Sequence, residues 1–223
     1  MMEGTLAFLP GWGFKASVWQ RMTDQLSHYQ THLCDLPTPA SDDDFESITH
    51  RLNEQLSPHT TLIAWSLSGL FAISLCANYP EKYKRLVLVS SAPAFICYDT
   101  DYGMYPSHAH SFRQLASVNL PEAMTQFQRL VCFPSKNTSL LKELQKHALT
   151  DSATLQFYLH LLFETNVSQT FKQLTQPTLQ ITGSLDAVLP AHASSLAIPQ
   201  AGHACFLTHQ DIFIQHLMDF ISE

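Results

Sequence analysis

The sequence has few basic residues and no long apolar run. Of its 223 residues only 12 are Lys or Arg, against 19 Asp or Glu, and the formal net charge is −7. Nucleic-acid binding depends on cations that neutralise phosphates, so this balance argues against a nucleic-acid partner. No stretch reaches the roughly 18 apolar residues of a membrane span, and no basic N-terminal region precedes an apolar segment. We therefore expect a cytoplasmic protein without a membrane partner.

Cysteine is also scarce and follows neither a metal-binding nor a disulfide pattern. The five cysteines are widely spaced, odd in number, and contain no Cys-x-x-Cys pair. Such usage is typical of free thiols in a reducing compartment. The histidines of "SHAHS" have no recognisable third and fourth metal ligand, and no glycine-rich phosphate-binding loop is present. The sequence therefore predicts no metal ion and no cofactor.

Short apolar runs alternate with helical patterns in both terminal parts of the chain. Hydrophobic residues make up 45% of the sequence, which is enough for one full core. Strands without polar alternation are typical of parallel sheets that helices cover on both faces. We therefore expect an α/β fold with a mostly parallel sheet. The predicted strands are residues 5–9, 29–37, 60–65, 85–93, 177–183 and a short one within 194–200.

A purely helical pattern interrupts this alternation in the second half of the chain. The segment between Pro106 and Thr175 has a net charge of +2, whereas the remainder has −9, so the two parts differ electrically. The apolar spacing predicts helices at roughly 107–117, 121–131, 139–148 and 152–174. We expect an α/β core of residues 1–98 and 175–223, with a helical insert of residues 99–174.

Ser66 stands where the strand 60–65 passes into a helical pattern. A nucleophile elbow, G-x-S-x-G, holds a serine in a strained turn of this kind and raises its hydroxyl above the sheet. Here Ala64 and Ser68 occupy the two glycine positions, and Gly69 follows. The motif by itself leaves two interpretations open, a nucleophile or an ordinary serine that ends a buried strand. If Ser66 is a nucleophile, we expect Ser68→Gly to be tolerated, because glycine relieves crowding there.

Three other places favour the nucleophile. The turn "PGWG" after the first strand directs the Trp12 N–H so that, with the N–H of Leu67, it can form an oxyanion hole. Asp186 follows a strand end, and His203 follows a glycine near the C-terminus. Each feature alone has an ordinary explanation as a turn, a helix cap or one of twelve histidines. Their order, Ser66…Asp186…His203, is that of α/β-hydrolases, and five of the seven glycines adjoin these places. Together they predict a Ser–His–Asp hydrolase.

Several segments resemble the α/β-hydrolase superfamily over nearly the whole chain. They are "GWGFKASVW", "AWSLSGL", "LVLVSSAP", "GSLDAVLP" and "AGHACFLTH". Within the superfamily they are most similar to the BioH family of pimeloyl-[acyl-carrier protein] methyl ester esterases. That family has His where Pro10 stands and Gly where Ala64 and Ser68 stand; the Ala-Trp-Ser elbow instead resembles the shorter BioG esterases. The resemblance implies an α/β-hydrolase fold trimmed to about six strands, with the insert as a lid over the site.

The resemblance also implies an activity, a serine carboxylesterase that cleaves the methyl ester of pimeloyl-acyl-carrier protein in biotin synthesis. Ser66 would be the nucleophile, His203 the general base and Asp186 the residue that orients it. No cofactor is required. The resemblance further implies that the acyl chain passes three aromatic side chains, Trp12, Trp65 and Phe127.

In that family basic lid residues meet the acidic carrier protein, which here implies contacts at Arg129, Lys142 and Lys146. Solvated cations on exposed helices are the alternative interpretation, and the positive insert favours the carrier contact. Two other functions remain open, a generic small-ester or lipid hydrolase and a non-catalytic binding protein on the same scaffold. We expect a monomer.

Overall fold

The sheet of this protein is parallel and has six strands in the part of the chain that the structure describes. The structure is a computed structural model, and it describes residues 4–96, 103–190 and 195–222. The strand order is β2-β1-β3-β4-β5-β6, and every neighbouring pair is parallel. The strands are β1 (Thr5–Leu9), β2 (Gln30–Leu33), β3 (Thr60–Trp65), β4 (Tyr83–Val89), β5 (Thr178–Gly183) and β6 (Leu196–Ile198). The predicted fold class, an α/β fold with about six strands, is confirmed.

Helices connect the consecutive strands from β1 to β5, as parallel pairing requires. A short 3₁₀ helix, Ala16–Trp19, leads into the first α-helix. Near the start of the chain are α1 (Gln20–Thr23), α2 (Phe45–Gln55) and α3 (Ser68–Asn78). Between β4 and β5 are α4 (Pro106–Val118), α5 (Leu120–Cys132), α6 (Thr138–Lys146), α7 (Ser152–Glu164) and α8 (Ser168–Lys172). The chain ends with α9 (Cys205–Thr208) and α10 (Gln210–Ser222). None of the helices in the described ranges is long and apolar enough to cross a bilayer.

The central strands carry the core. All residues of β1 and β3 are buried, which agrees with apolar runs that lack alternation. The register places Leu9 beside Ala64, and Ala64 beside Leu88. Because the strands are parallel and in this register, β1 and β3 end at the same edge of the sheet. The residues that follow them, the Pro10 turn and Ser66, are therefore neighbours.

The helices between β4 and β5 pack against the turn that follows β1. The Lys15 N–H donates to the His147 carbonyl at 2.8 Å, and the Leu149 N–H donates to the Gly13 carbonyl at 2.8 Å. These bonds join the helical segment to the core beside the site predicted from the sequence. The predicted beginning of the insert, residue 99, lies in the stretch 97–102, outside the described residues.

Candidate active site

Ser66 occupies a strained turn between β3 and α3. Its φ is +54°, in the left-handed region that non-glycine residues rarely adopt. The turn is held by hydrogen bonds on both sides. The Ser66 N–H donates to the Val89 carbonyl at 2.9 Å, and the Ser66 carbonyl accepts from the Ser91 hydroxyl at 2.7 Å and the Gly69 N–H at 2.9 Å. Strain maintained by surrounding contacts is what a nucleophile elbow requires.

Gly69 is the residue of this elbow at which a side chain would collide with its surroundings. A Cβ at position 69 would lie 2.0 Å from the Ser91 Oγ and 2.8 Å from the Ser91 Cβ. Ala64 and Ser68, in contrast, are both fully buried at the two positions where the family motif has glycine. The structure therefore accommodates a departure from the motif at 64 and 68, and glycine is needed one residue later.

Asp186 and His203 form a buried pair behind the elbow. Asp186 follows β5 and His203 follows β6, and the side chains of both are completely shielded from solvent. The His203 Nδ1 lies 2.8 Å from one Asp186 carboxylate oxygen and 3.1 Å from the other. The carboxylate is itself held, because the Val188 and Leu189 N–H groups each donate to Oδ1 at 2.9 Å. The pair therefore fixes the ring orientation of His203 and leaves Nε2 directed elsewhere.

The neighbour of Ser66, Trp65, connects the elbow to His203. Its indole N–H donates to the His203 carbonyl at 3.0 Å, and the two ring centroids are 5.7 Å apart. In the described residues the buried His203 Nε2 has no hydrogen-bond partner, and no bond joins it to the Ser66 hydroxyl. In unliganded enzymes such catalytic hydrogen bonds are often long and tighten only when substrate is bound.

Two backbone N–H groups beside Ser66 are free to bind an anion. Within the described part of the chain neither the Trp12 N–H nor the Leu67 N–H donates a hydrogen bond. The turn that carries Trp12 packs directly on the elbow, since a Cβ at Gly11 would lie 3.2 Å from the Ser66 Cβ. Unpaired backbone amides beside a serine hydroxyl are groups from which an oxyanion hole can be built.

An apolar cavity of about 270 Å³ opens above Ser66. Its wall includes aromatic rings in contact, with the Trp12 and Phe127 centroids 5.0 Å apart and the Trp12 and Phe112 centroids 5.7 Å apart. Leu130 lines the cavity and is also 41% exposed, so the cavity meets the surface there. The lining residues are Trp12, Ser66, Phe95, Met104, His108, Phe112, Phe127, Leu130, Leu162, Phe163, Ala187 and Val188.

The cavity includes Trp12 and Phe127 but not Trp65, the third aromatic residue expected to touch the acyl chain. Trp65 is fully buried beneath the elbow, between Phe14 at 5.2 Å and Phe206 at 5.1 Å, measured between ring centroids. Sequence reasoning missed His108 and Phe112, whose only signal was an amphipathic pattern in the insert.

The three cations expected to meet a carrier protein are all exposed. Arg129 lies on α5 beside Leu130, at the place where the cavity meets the surface. On α6 the Lys146 ammonium is paired with Glu143 at 2.7 Å, whereas Lys142 has no acidic partner among the described residues. The structure therefore leaves Arg129 and Lys142 as available cations and engages Lys146 within its own helix.

The four cysteines that the structure describes play no part in this arrangement. Cys34, Cys76, Cys132 and Cys205 are buried and free, and Cys97 lies outside the described residues. Burial raises the pKa of the Cys34 and Cys76 thiols to about 12. The pKa of Cys205 is raised to about 12, first by burial and then by the charge of Asp186. These thiols are therefore protonated at neutral pH and unreactive.

Comparisons with known proteins identify the family of this chain. Residues 40–209 match a family model, Hydrolase_4, described as "Serine aminopeptidase, S33". Proteins named "Pimeloyl-[acyl-carrier protein] methyl ester esterase" are similar. The one from Yersinia enterocolitica is 28% identical over 98% of this chain and 93% of its own length, and the one from Shewanella woodyi is 29% identical over 98% and 94%.

A solved structure of an esterase from Exiguobacterium antarcticum superimposes with a TM-score of 0.84 at 18% identity. It covers 100% of this chain and 93% of its own. At that identity the likeness concerns the fold. The family model spans well over half of the chain, so the assignment does not depend on any single relative. This chain belongs to the Hydrolase_4 family of serine hydrolases, within the α/β-hydrolase superfamily.

Proposed function

We propose that this protein is a serine carboxylesterase that hydrolyses the methyl ester of pimeloyl-acyl-carrier protein. One observation carries the chemistry: the buried Asp186–His203 pair lies behind a strained Ser66 that faces an apolar cavity. The substrate is supported by relatives of that name in Yersinia enterocolitica and Shewanella woodyi, which this chain matches over nearly its full length. We place its action in biotin synthesis and in the cytoplasm, as a monomer.

The proposed reaction proceeds through an acyl-enzyme. The Ser66 Oγ attacks the ester carbonyl while His203 Nε2 takes the hydroxyl proton. The Trp12 and Leu67 N–H groups bind the resulting oxyanion. The tetrahedral intermediate collapses, the C–O bond to the methoxy group breaks, and His203 returns the proton so that methanol leaves. Water then attacks the acyl-enzyme by the same route and releases the free carboxylic acid. Asp186 orients the imidazole and stabilises its cationic form throughout.

The cavity suits a substrate whose reacting ester lies at one end of an apolar chain. With the ester at Ser66, the methylene groups pass Trp12 and Phe127 and leave beside Leu130. We assign residues 99–174 the role of a lid, because α4, α5 and α7 contribute much of the cavity wall. Trp65 supports His203 from below and does not touch the chain in this proposal.

The charge of the helical segment suits an acidic carrier. Two of its six cations are paired with acids, Arg113 with Glu164 and Lys146 with Glu143. Within the described residues the others have no acidic partner; they are Arg129, Lys136, Lys142 and Lys172. An acidic protein is repelled by the rest of this chain, which has a net charge of −9, and is attracted only to this segment.

Turnover on matched substrates tests the proposal. The purified protein should hydrolyse the methyl ester of pimeloyl-carrier protein with a higher kcat/KM than free methyl pimelate or p-nitrophenyl acetate. Its gene should restore growth without biotin to a bacterium that lacks its own esterase. Equal turnover with and without the carrier would instead support a generic small-ester or lipid hydrolase. No reaction of Ser66 with a fluorophosphonate probe would support a non-catalytic binding protein.

The proposed contact of Arg129 and Lys142 with the carrier protein has its own test. Arg129→Glu combined with Lys142→Glu should raise KM for the carrier-bound ester by about tenfold, because both substitutions replace attraction by repulsion at an exposed surface. Hydrolysis of p-nitrophenyl acetate should not change. Added salt should reproduce the effect in the original protein, since it screens exposed charges beyond about 8–10 Å. The measurement is steady-state kinetics on both esters.

Lys172→Glu is the matched control for this experiment. It reverses one charge, as Arg129→Glu or Lys142→Glu alone does, but on α8, a helix that packs against α3 and contributes no residue to the cavity. It should leave KM for the carrier substrate close to the original value. If Arg129→Glu, Lys142→Glu and Lys172→Glu each raised KM equally, Arg129 and Lys142 would act only through the net charge of the protein. That result would contradict a defined docking surface.

A further inference from the structure

A buried hydroxyl connects the two segments that carry the candidate oxyanion amides. The Ser68 Oγ donates a hydrogen bond to the Pro10 carbonyl. Ser68 is completely buried, and Pro10 is also buried. Pro10 lies two residues before Trp12, and Ser68 directly follows Leu67. The bond therefore spans from the first residue of α3 to the turn after β1, fifty-eight positions apart in sequence.

This bond restrains the position of the Trp12 amide relative to that of Leu67. It fixes the orientation of the Pro10–Gly11 peptide, and the next peptide along the chain carries the Trp12 N–H. The Gly11–Trp12 peptide has a second restraint, because the Phe14 N–H donates to the Gly11 carbonyl at 3.2 Å. Packing adds to it, since a Cβ at Gly11 would lie 3.0 Å from the Trp65 ring. An oxyanion hole works only when its donors are already roughly 2.7–3.1 Å from the position of the future oxyanion. A small shift of the Trp12 amide therefore lengthens or bends its hydrogen bond to the oxyanion and weakens it.

Both ends of the bond are departures from the family pattern described above. The family has glycine where Ser68 stands, and glycine offers no hydroxyl. It has histidine where Pro10 stands, and proline lacks the backbone N–H through which that turn can otherwise be tied. The two unusual residues meet each other in the structure. A single bond thus joins the altered elbow to the altered turn.

We propose that Ser68 is a positioning residue whose hydroxyl holds the oxyanion turn in register with the elbow. The inference rests on the serine chemistry proposed above and is independent of the acyl-carrier substrate. It replaces the expectation that Ser68→Gly is tolerated. Glycine at 68 removes the bond to Pro10.

Ser68→Ala is the direct test, because it removes one oxygen atom and adds no bulk. On p-nitrophenyl acetate kcat should fall about tenfold with KM unchanged, a smaller loss than the roughly 100- to 1,000-fold caused by deleting an oxyanion donor outright. A trifluoromethyl ketone, which forms a tetrahedral oxyanion adduct with a serine nucleophile, should bind more weakly by a similar factor. Ser68→Thr, which retains a hydroxyl, should recover most of kcat.

Ser74→Ala is the matched control. Ser74 lies on the same helix, is 8% exposed and does not line the cavity. Ser74→Ala therefore makes the same substitution at a buried position away from the cavity. It should leave kcat and inhibitor binding unchanged. If Ser68→Ala also leaves both unchanged, or lowers the melting temperature and alters kcat and KM alike, Ser68 is a structural residue and the inference is overturned. If Ser68→Thr does not fold, the comparison of the two alanine variants decides the matter.

This outcome is separable from failure of the proposed function. Ser66→Ala run in the same assay shows whether ester hydrolysis depends on the elbow at all. Loss of activity in Ser66→Ala with full activity in Ser68→Ala contradicts only the positioning role. Full activity in Ser66→Ala contradicts the serine chemistry and the positioning role together.

Discussion

Ser66→Ala should abolish ester hydrolysis and leave the fold intact. Without the hydroxyl no acyl-enzyme forms, and kcat should fall on the order of 10⁴- to 10⁶-fold, as in other serine hydrolases that lose the nucleophile. Alanine fits the space of serine, so the melting temperature should change little. His203→Ala should have a similar effect, and the double variant should be no worse than either single one, because the residues act as a unit. The measurement is p-nitrophenyl acetate hydrolysis with a fluorophosphonate titration of active sites.

Ser90→Ala provides the matched control. Ser90 follows the neighbouring strand β4, is 1% exposed and also has a positive φ, +45°. The substitution is thus the same chemical change in the same backbone conformation one strand away, and Ser90 does not line the cavity. It should retain the activity that Ser66→Ala loses. If Ser66→Ala keeps near-normal activity, Ser66 is an ordinary serine at the end of a buried strand.

Gly69→Ala should distort the elbow and strongly reduce activity. Alanine is favoured over glycine inside a helix by about 1 kcal/mol. Here the new Cβ would lie 2.0 Å from the Ser91 Oγ and 2.8 Å from its Cβ. Rotation of the Ser91 side chain moves Oγ but not Cβ, so α3 must shift, and the free energy of unfolding should fall by about 1–3 kcal/mol, the usual range for overpacking. Ser66 and the Leu67 N–H shift with the helix. Chemical denaturation and esterase kinetics measure the two effects.

The double variant Gly69→Ala with Ser91→Gly separates crowding from other causes. Ser91→Gly removes the two atoms closest to the new Cβ and leaves only the flexible end of the Leu88 side chain, at 3.1 Å. It also removes the 2.7 Å hydrogen bond to the Ser66 carbonyl. The single variant Ser91→Gly therefore gives the reference for loss of that bond. The double variant should have the same activity and the same free energy of unfolding as Ser91→Gly alone. The effects of the two substitutions would then be strongly non-additive, as expected for residues in contact. Effects that simply add would mean that Gly69 is needed for a reason other than contact with Ser91.

The sequence determined the class of the fold and predicted the candidate triad. The apolar runs of β1 and β3 predicted buried parallel strands with the observed bounds, 5–9 and 60–65. This was possible because a strand that is buried on both faces consists of consecutive apolar residues. The chain order Ser66…Asp186…His203 with its adjoining glycines indicated the site. Turn chemistry and strand ends are local properties, so they can be recognised before the strands are assembled.

Only the tertiary structure decided which side chains meet. Trp65 adjoins Ser66 in sequence, yet it lies outside the cavity and bonds to the carbonyl of His203. Glycine is required at position 69 because Ser91, on the loop after another strand, lies too close to leave room for a Cβ there. The hydrogen bond from Ser68 to Pro10 joins residues fifty-eight positions apart. These contacts follow from the order and register of β1, β3 and β4, and a residue pattern records only how deeply a position is buried, not which neighbour across the sheet will reach it.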